Sequence, residues 1–312
     1  LYGDNLDTLV FIPTYNASST ALWHELLRSL KVQSIKPALL QIVDSESSDS
    51  TREDAEQNDF NVIKIHKKDF NHGGTRNMVL DLSEENDAIV IFLTQDAILN
   101  RTDALEKIVG VFFDPQIAIA YGRQLPHLDA NPLAAHARYF NYKKESYTSD
   151  LSSKKILGIK TVFTSNSFAA YRLSILKALG GFPTNTILSE DMYLAAKAVS
   201  AGYKIAYVAD SEVRHSHNYT PVEEFKRYFD IGVFHHDHSW IGDQFGGVGG
   251  EGMKFIFSEI KYLSNGNLLW IPRALIHNFL KILGYKLGQQ YTKIPESLVV
   301  KMSMHKGFWK RK

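Results

Sequence analysis

The 312 residues contain no cysteine, which excludes disulfides and thiolate metal sites and fits a reducing, cytoplasmic compartment. They contain no apolar run of about 18 residues, so no membrane-spanning helix is expected. No internal repeat or low-complexity segment divides the chain, and Leu1–Asp4 show no signal-peptide pattern. A large excess of either charge is missing too: 35 Lys and Arg face 34 Asp and Glu, and no nucleic-acid partner is expected. What remains is the composition of a globular protein, long enough for one large domain with an appended subdomain.

The charge balance hides an asymmetry. Residues 261–312 hold ten Lys and Arg against one acid, Glu296. These cations are interleaved with Trp270, Phe279, Tyr285, Phe308 and Trp309, a mixture suited to an anionic membrane surface. The alternative is a tail whose charge complements the acidic body. Leu268–Leu287 adds an amphipathic helical pattern with Leu275, Ile276, Phe279, Leu280, Ile282, Leu283 and Leu287 on one broad face. Such a helix can lie on a membrane, pack on the body, or pair with a second copy, so an oligomer is one of the expected outcomes.

From the amino end, short aliphatic runs alternate with helical patterns. Strands are expected at Thr8–Ile12, Ala38–Val43, Asn61–Ile65 and Ala88–Leu93, with a helix presenting Leu22, Leu26, Leu27 and Leu30, and another around Thr75–Leu82. This alternation predicts an α/β fold with a Rossmann-like, mostly parallel central sheet flanked by helices. Ligands of such sheets sit beyond the carboxyl ends of the strands. The polar residues gathered there are Pro13-Thr14-Tyr15, Asp44 with its serines, His66, and Gln95-Asp96. Further on, Val162–Tyr171 reads as strand, Glu190–Ala201 as helix and Tyr203–Ala209 as strand; beyond about residue 222 the pattern is helical. The division expected is 1–221 for a catalytic body and 222–312 for a basic, aromatic-rich C-terminal helical extension.

The ordered blocks VFIPTYNA, VDSESSDST, FNHGGTRN, FLTQDA, GRQLP, FTSNSFAAYR, LGGFP, SEDMYLAAKAVSAGYKIAYV and VRHSHNYT resemble bacterial family 2 glycosyltransferases of the GT-A fold. FNHGGTRN, TQDA and GRQLP look like the rhamnosyltransferase branch. The ordered set is far more specific than any one block. The resemblance implies an inverting transfer of L-rhamnose from dTDP-β-L-rhamnose to a sugar hydroxyl on a lipid-linked cell-surface polysaccharide. The enzyme would work in the cytoplasm or peripherally on the inner face of the plasma membrane. The competing readings are a UDP-hexose donor on the same fold, and a non-catalytic carbohydrate-binding protein.

By the same resemblance, Asp44 accepts from the pyrimidine N3–H and Pro13, Thr14 and Tyr15 support the base. Asp96, with Thr94 in place of the first acid of Asp-x-Asp and Gln95 between them, holds a divalent cation, Mg2+ or Mn2+. His215 or His217 supplies a later ligand; alternation places both on one face of an extended segment. Asp191, the second acid of Glu190-Asp191, is the general base. Arg76 and Asn77 belong to the donor site, where Arg76 grips phosphate or orders its loop. Arg123, Gln124, Ser165, Asn166 and Glu190 lie on the donor-sugar or acceptor side. Taken singly, Asp44 and Asp96 read equally as caps, Glu190-Asp191 as a helix-start acidic pair, and His215 with His217 as a hydrogen-bonded pair.

Two other patterns are set aside. Gly247–Gly252 fits GxGxxG but has no strand before it, and reads as a flexible loop over the site. His235-His236-Asp237-His238 does not converge on a helix or turn, and reads as a surface or acceptor-side group.

Overall fold

The computed structural model describes residues 7–82, 88–247 and 249–310. Leu1–Asp4, Val248 of the glycine pattern, and Arg311 and Lys312 of the basic tail lie outside the described residues.

The strands are β1 (Thr8–Thr14), β2 (Leu39–Asp44), β3 (Asn61–Lys64), β4 (Ile89–Leu93), β5 (Ile98–Leu99), β6 (Ile117–Leu125), β7 (Tyr147–Ser149), β8 (Phe168–Arg172) and β9 (Lys204–Arg214). They form one sheet in the order β3-β2-β1-β4-β8-β6-β9-β5, with β7 also on β9. The expected α/β architecture is present. β3, β2, β1 and β4 run parallel, as does the β6–β9 pair, whereas β8 is antiparallel to both its neighbours, making the sheet mixed. The central β4 is wholly apolar and buried, and β1 is apolar between its terminal threonines and buried except at Pro13, because both faces are covered, the usual state of a parallel sheet. Behind them Phe11, Phe92, Tyr171 and Phe182 pack edge to face, with centroids 5.2–5.5 Å apart.

The helices that bear on the site are α1 (Ala21–Lys31), α2 (His72–Asn77), α3 (Pro132–Asn141), α4 (Glu190–Ser200), α5 (Pro221–Asp237), α6 (Gly249–Ser264) and α7 (Ile271–Gly288). α1 buries Trp23, Leu26, Leu27 and Leu30, as its periodicity predicts. One expectation changes. Val162–Tyr171 is not one strand: a 3-10 turn ends at Val162 and β8 begins only at Phe168, leaving a loop that delivers Ser165 and Asn166 to the strand ends. Gly122, Arg123 and Gln124 of the GRQLP block lie within β6.

The C-terminal helices are built onto the body. Phe229, Val233 and Phe234 of α5, with Val299, Phe308 and Trp309, share the core that lies against the sheet. Asp230 of α5 accepts from the backbone N–H groups of Met304 and His305 at 2.9 and 3.1 Å, tying the last segment down. α7 is packed inside out. Its buried residues are Ala274, His277, Asn278, Lys281, Gly284 and Gly288, while Leu275, Ile276 and Phe279 are exposed, Phe279 by 64%. The small residues explain this: a Cβ on Gly288 would lie 2.0 Å from the Phe229 carbonyl oxygen, so only glycine lets α7 approach α5 this closely. Gly288→Ala should therefore cost about 1–3 kcal/mol. A thermal melt would show it as a drop of several degrees, whereas Gly110→Ala, where a new methyl meets open space, should leave the melt unchanged; equal melts for the two would refute the close-packing account.

Among the described residues no helix is long and apolar enough to cross a membrane.

Candidate active site

A cavity of about 2360 Å³ opens over the carboxyl ends of β1, β2, β4 and β9, with the C-terminal helices forming its far wall. That exceeds what one small ligand needs and leaves room for two substrates. Pro13, Thr14, Tyr15, Thr94, Gln95, Asp96, Ser165, Asp191, His215 and His217 face it.

At its centre Asp96, two residues past the loop start at Thr94, meets the segment following β9. His215 Nε2 lies 3.6 Å from Asp96 Oδ1, and His217 Nδ1 lies 3.9 Å from Oδ2. One ligand atom from each residue falls within 4.8 Å of the others, a spacing that can hold a metal ion. Alternation in the extended chain brings both histidines to the cluster. Burial pushes the His215 imidazole down to about 3, and it also lowers His217, so both rings are neutral and keep a lone pair for a cation. Burial opposes ionisation of Asp96, while the polar rings of His215 and His217 that face it favour the carboxylate, and its carboxyl lies below the usual range.

The tautomer of His215 follows from its neighbours. Arg138, a donor only, places Nη1 2.5 Å from Gln124 Oε1, which identifies that atom as the amide oxygen. Gln124 Nε2 then donates to Ser165 Oγ at 3.0 Å. His215 Nδ1 sits 3.0 Å from the same Oε1, so Nδ1 carries the proton and Nε2 turns its lone pair toward Asp96. Gln124 thus acts behind the histidine and does not line the cavity.

Beside this cluster, α4 begins with Ser189 in the left-handed region, φ 58°, followed by the acidic pair. The two carboxylates are treated oppositely. Glu190 is buried; Arg76 Nη1 lies 3.0 Å from its Oε1 and Asn166 Nδ2 donates to the same oxygen at 3.0 Å. Burial opposes its charge, yet Arg76 and His72 outweigh that and hold Glu190 below the ordinary range. Asp191 faces the cavity, accepting from the backbone N–H of Asn166 at 3.1 Å and of Met192 at 2.8 Å. Burial, reinforced by the adjacent Glu190 charge, raises it to about 7, where a carboxylate can act as a base at neutral pH. Asn166 links the pair and is itself held by the Tyr171 hydroxyl at 2.7 Å.

Several expected ligand contacts are instead structural. Arg76 is engaged through Nη1 by Glu190 and the His72 carbonyl, which orders its loop at the cavity wall. Asn77 exchanges two hydrogen bonds with the backbone of Phe182, at 2.8 and 2.7 Å, and does not reach the cavity. A Cβ on Gly73 would sit 2.0 Å from the Pro183 carbonyl oxygen, so FNHGGTRN and LGGFP are two halves of one packing contact. Arg123 pairs with Glu212 at 3.0 Å away from the cavity, because its strand position points it to β9.

The nucleotide end also differs from expectation. Asp44 is wholly buried, and Thr14 Oγ1, Ser47 N and Ser47 Oγ occupy its oxygens at 3.2, 2.9 and 2.5 Å. These bonds tie the loop after β2 to β1, and Asp44 is not among the residues that line the cavity. The next residue, Ser45, faces the cavity with a buried hydroxyl that has no hydrogen-bond partner. Gln95 clamps the backbone of Tyr15 by two hydrogen bonds, at 2.9 and 3.2 Å. Lys67 Nζ lies 4.0 Å above the Tyr15 ring.

Arg138 and Arg227, both facing the cavity, belong to no ligand expectation from sequence, since each lies outside a recognisable spacing; Ser45 lies in the polar stretch after β2 but carries no role of its own in the sequence reading. The four residues His235–His238 do not converge: His235 meets the Tyr285 hydroxyl, His236 the Gln289 carbonyl, and Asp237 the Tyr291 hydroxyl. The glycine pattern is largely the start of α6 and not a loop, with Glu251 bound to Lys160 at 2.8 Å.

Comparison with known proteins agrees with this geometry. Residues 6–230 match the family described as Glycosyltransferase like family 2. The chain is 54% identical over 300 residues to the O-antigen chain rhamnosyltransferase WbaN of Salmonella anatum, covering 96% of this chain and 95% of that protein. It is 53% identical over 301 residues to the O-antigen chain rhamnosyltransferase RfbN of Salmonella typhimurium, with the same coverage. Among solved structures, the mannosyltransferase PcManGT of Pyrobaculum calidifontis, in complex with GDP-Man and Mn2+, superposes with TM-score 0.59 at 18% identity, covering 99% of this chain and 89% of that one. TarS 1-349 of S. aureus in complex with UDP-GlcNAc gives 0.53 at 17% identity, covering 92% of each chain. The fold is therefore GT-A-like, and the chain belongs to glycosyltransferase family 2.

Proposed function

We propose that this chain is an inverting rhamnosyltransferase that moves L-rhamnose from dTDP-β-L-rhamnose to a sugar hydroxyl on a lipid-linked cell-surface polysaccharide. The identity of more than half the residues to two named rhamnosyltransferases, over 96% of the chain, carries the sugar assignment. In this reading Asp191 takes the acceptor hydroxyl proton as the new C–O bond forms at the anomeric carbon. The bond to the diphosphate breaks on the opposite face. Asp96, His215 and His217 would hold a divalent cation, Mg2+ or Mn2+, which supplies Lewis-acid stabilisation of the departing diphosphate. Three convergent donors with two neutral imidazoles fit such an ion. Ser45, in place of Asp44, is the side chain positioned to meet the base over Pro13, Thr14 and Tyr15.

The division of labour proposed places donor chemistry in residues 1–221 and acceptor presentation in 222–312. The inside-out α7 supports a membrane-facing role. Its exposed apolar face continues into Leu268, Leu269 and Phe257, and Lys261, Arg273 and Lys286 are exposed nearby. Apolar surface flanked by cations suits an anionic leaflet at which a lipid-linked acceptor resides.

One assay tests both parts: release of nucleoside diphosphate from dTDP-rhamnose, UDP-glucose, UDP-galactose and UDP-N-acetylglucosamine, with the acceptor held in anionic or neutral vesicles. Acceptor-dependent turnover of dTDP-rhamnose alone, faster on anionic vesicles, is expected. Turnover of a UDP-sugar would replace the donor, and silence with intact donor binding would point to a non-catalytic protein. Equal rates on both vesicles, with a dimer in solution, would assign the apolar face to a second copy of the chain.

A further inference from the structure

Two arginines flank the metal-ligating histidines, each at the remove of one side chain. Arg138 of α3 reaches His215 through Gln124, whose Oε1 it shares with that ring. Arg227 of α5 reaches His217 through Tyr219: its guanidinium carbon lies 5.8 Å from the Tyr219 ring centre, and that ring lies 5.1 Å from His217. Both arginines face the cavity, and among the described residues neither has a carboxylate within 4 Å. The contrast with other cavity cations is informative. Lys281 has Glu224, Lys160 has Glu251 and Arg76 has Glu190. Arg138 Nε, moreover, is shut off from solvent without a hydrogen-bond partner. Two half-buried guanidinium groups without counter-ions, aimed at one space, form an anion site.

We infer that Arg138 and Arg227 bind the diphosphate of the donor, one from each side of the His215–His217 pair; this rests on the transferase reading above. Charge supports the choice. A divalent ion, Asp96 and two guanidinium groups sum to three positive charges. A nucleotide-sugar diphosphate carries two negative charges, and the nucleoside diphosphate that departs carries three. The site therefore complements the leaving group better than the intact donor, which is the differential binding that accelerates the step. Arg227 comes from the C-terminal extension, so that extension completes the donor site as well as facing the acceptor.

The test is calorimetric titration of the full chain with dTDP and with inorganic pyrophosphate, in saturating Mg2+, for the parent, Arg227→Gln and Arg138→Gln. Arg227→Gln should weaken both ligands about ten- to a hundredfold while leaving Mn2+ binding in the absence of nucleotide unchanged. Arg138→Gln should weaken both ligands and also Mn2+, because it releases Gln124. Arg227→Lys should recover part of the loss, which separates charge from folding damage. Unchanged affinity for dTDP and pyrophosphate in Arg227→Gln overturns the proposal. So does unchanged dTDP affinity with a raised acceptor KM, which would give the arginine to the diphosphate of the lipid-linked acceptor. Arginine-dependent pyrophosphate binding by a protein that fails to turn over dTDP-rhamnose would leave this site standing and reject the rhamnosyl reading alone.

Discussion

Asp191→Asn is expected to lower kcat about a hundred- to ten-thousandfold while dTDP affinity stays within about threefold, the signature of a lost general base. Asp191 and Glu190 are adjacent in sequence and opposite in environment. Arg76 and Asn166 satisfy Glu190, so the acid that remains for chemistry is Asp191. Burial, then the Glu190 charge, raises Asp191 to about 7. A base must be deprotonated, so kcat should fall as pH drops through about 7, and that limb should vanish in the variant. Glu190→Gln should move the limb to lower pH, because it removes the like charge that disfavours ionisation. The same shift has a sign for stability. The folded carboxyl binds its proton more tightly than the unfolded one, so its contribution is fully present below the ordinary aspartate value of 3.8 and is lost as pH rises through about 7. The Asn variant carries no such loss and should not melt below the parent at pH 8. Lost activity with a collapsed melt would mean structural damage, and a flat kcat profile between pH 6 and 8 in the parent would remove Asp191 as the base.

What the sequence reveals here is what periodicity and strand ends encode. The parallel half of the sheet is legible because β1, β2 and β4 are mainly aliphatic runs, broken in β2 only by Gln41, that end in polar residues. Asp96 is legible for the same reason, and alternation alone places His215 and His217 on one face. Side-chain direction at a loop is not encoded so simply. Asp44, the last residue of β2, is wholly buried while Ser45 next to it lines the cavity, and the chain turns away at Glu46, φ 59°. Arg123 is misread because its partner, Glu212, lies 89 residues away across the β6–β9 pair. For α7 the amphipathic pattern defines two faces but not which one is buried; Gly284 and Gly288, small enough for backbone contact, decide that the polar face goes in. Arg138 and Arg227 are invisible to pattern because their significance is a missing partner, a property that exists only once the chain is folded.

Asp96→Ala should remove measurable Mn2+ binding and lower turnover about a thousandfold, the equivalent of several kcal/mol of lost charge stabilisation. Its carboxylate is the one anionic ligand in the Asp96, His215 and His217 group, so two neutral imidazoles would be left to hold the ion. Gln124→Leu tests the same centre from behind. Without Oε1 to accept from Nδ1, His215 can adopt the other tautomer or turn, and Mn2+ affinity should fall about ten- to a hundredfold although no ligand has changed. The pH dependence separates this centre from the base. His215 is pushed down to about 3, so that ring gains no proton between pH 8 and pH 6, and burial lowers His217 as well. Over that interval Mn2+ affinity should hold while kcat falls with the protonation of Asp191. Electron paramagnetic resonance of Mn2+ titrations at the two pH values, beside the kinetic profile, makes the distinction. If affinity and kcat fell together, the acid limb would belong to the metal ligands; if turnover were untouched by Asp96→Ala and by EDTA, the cation would have no part in the transfer.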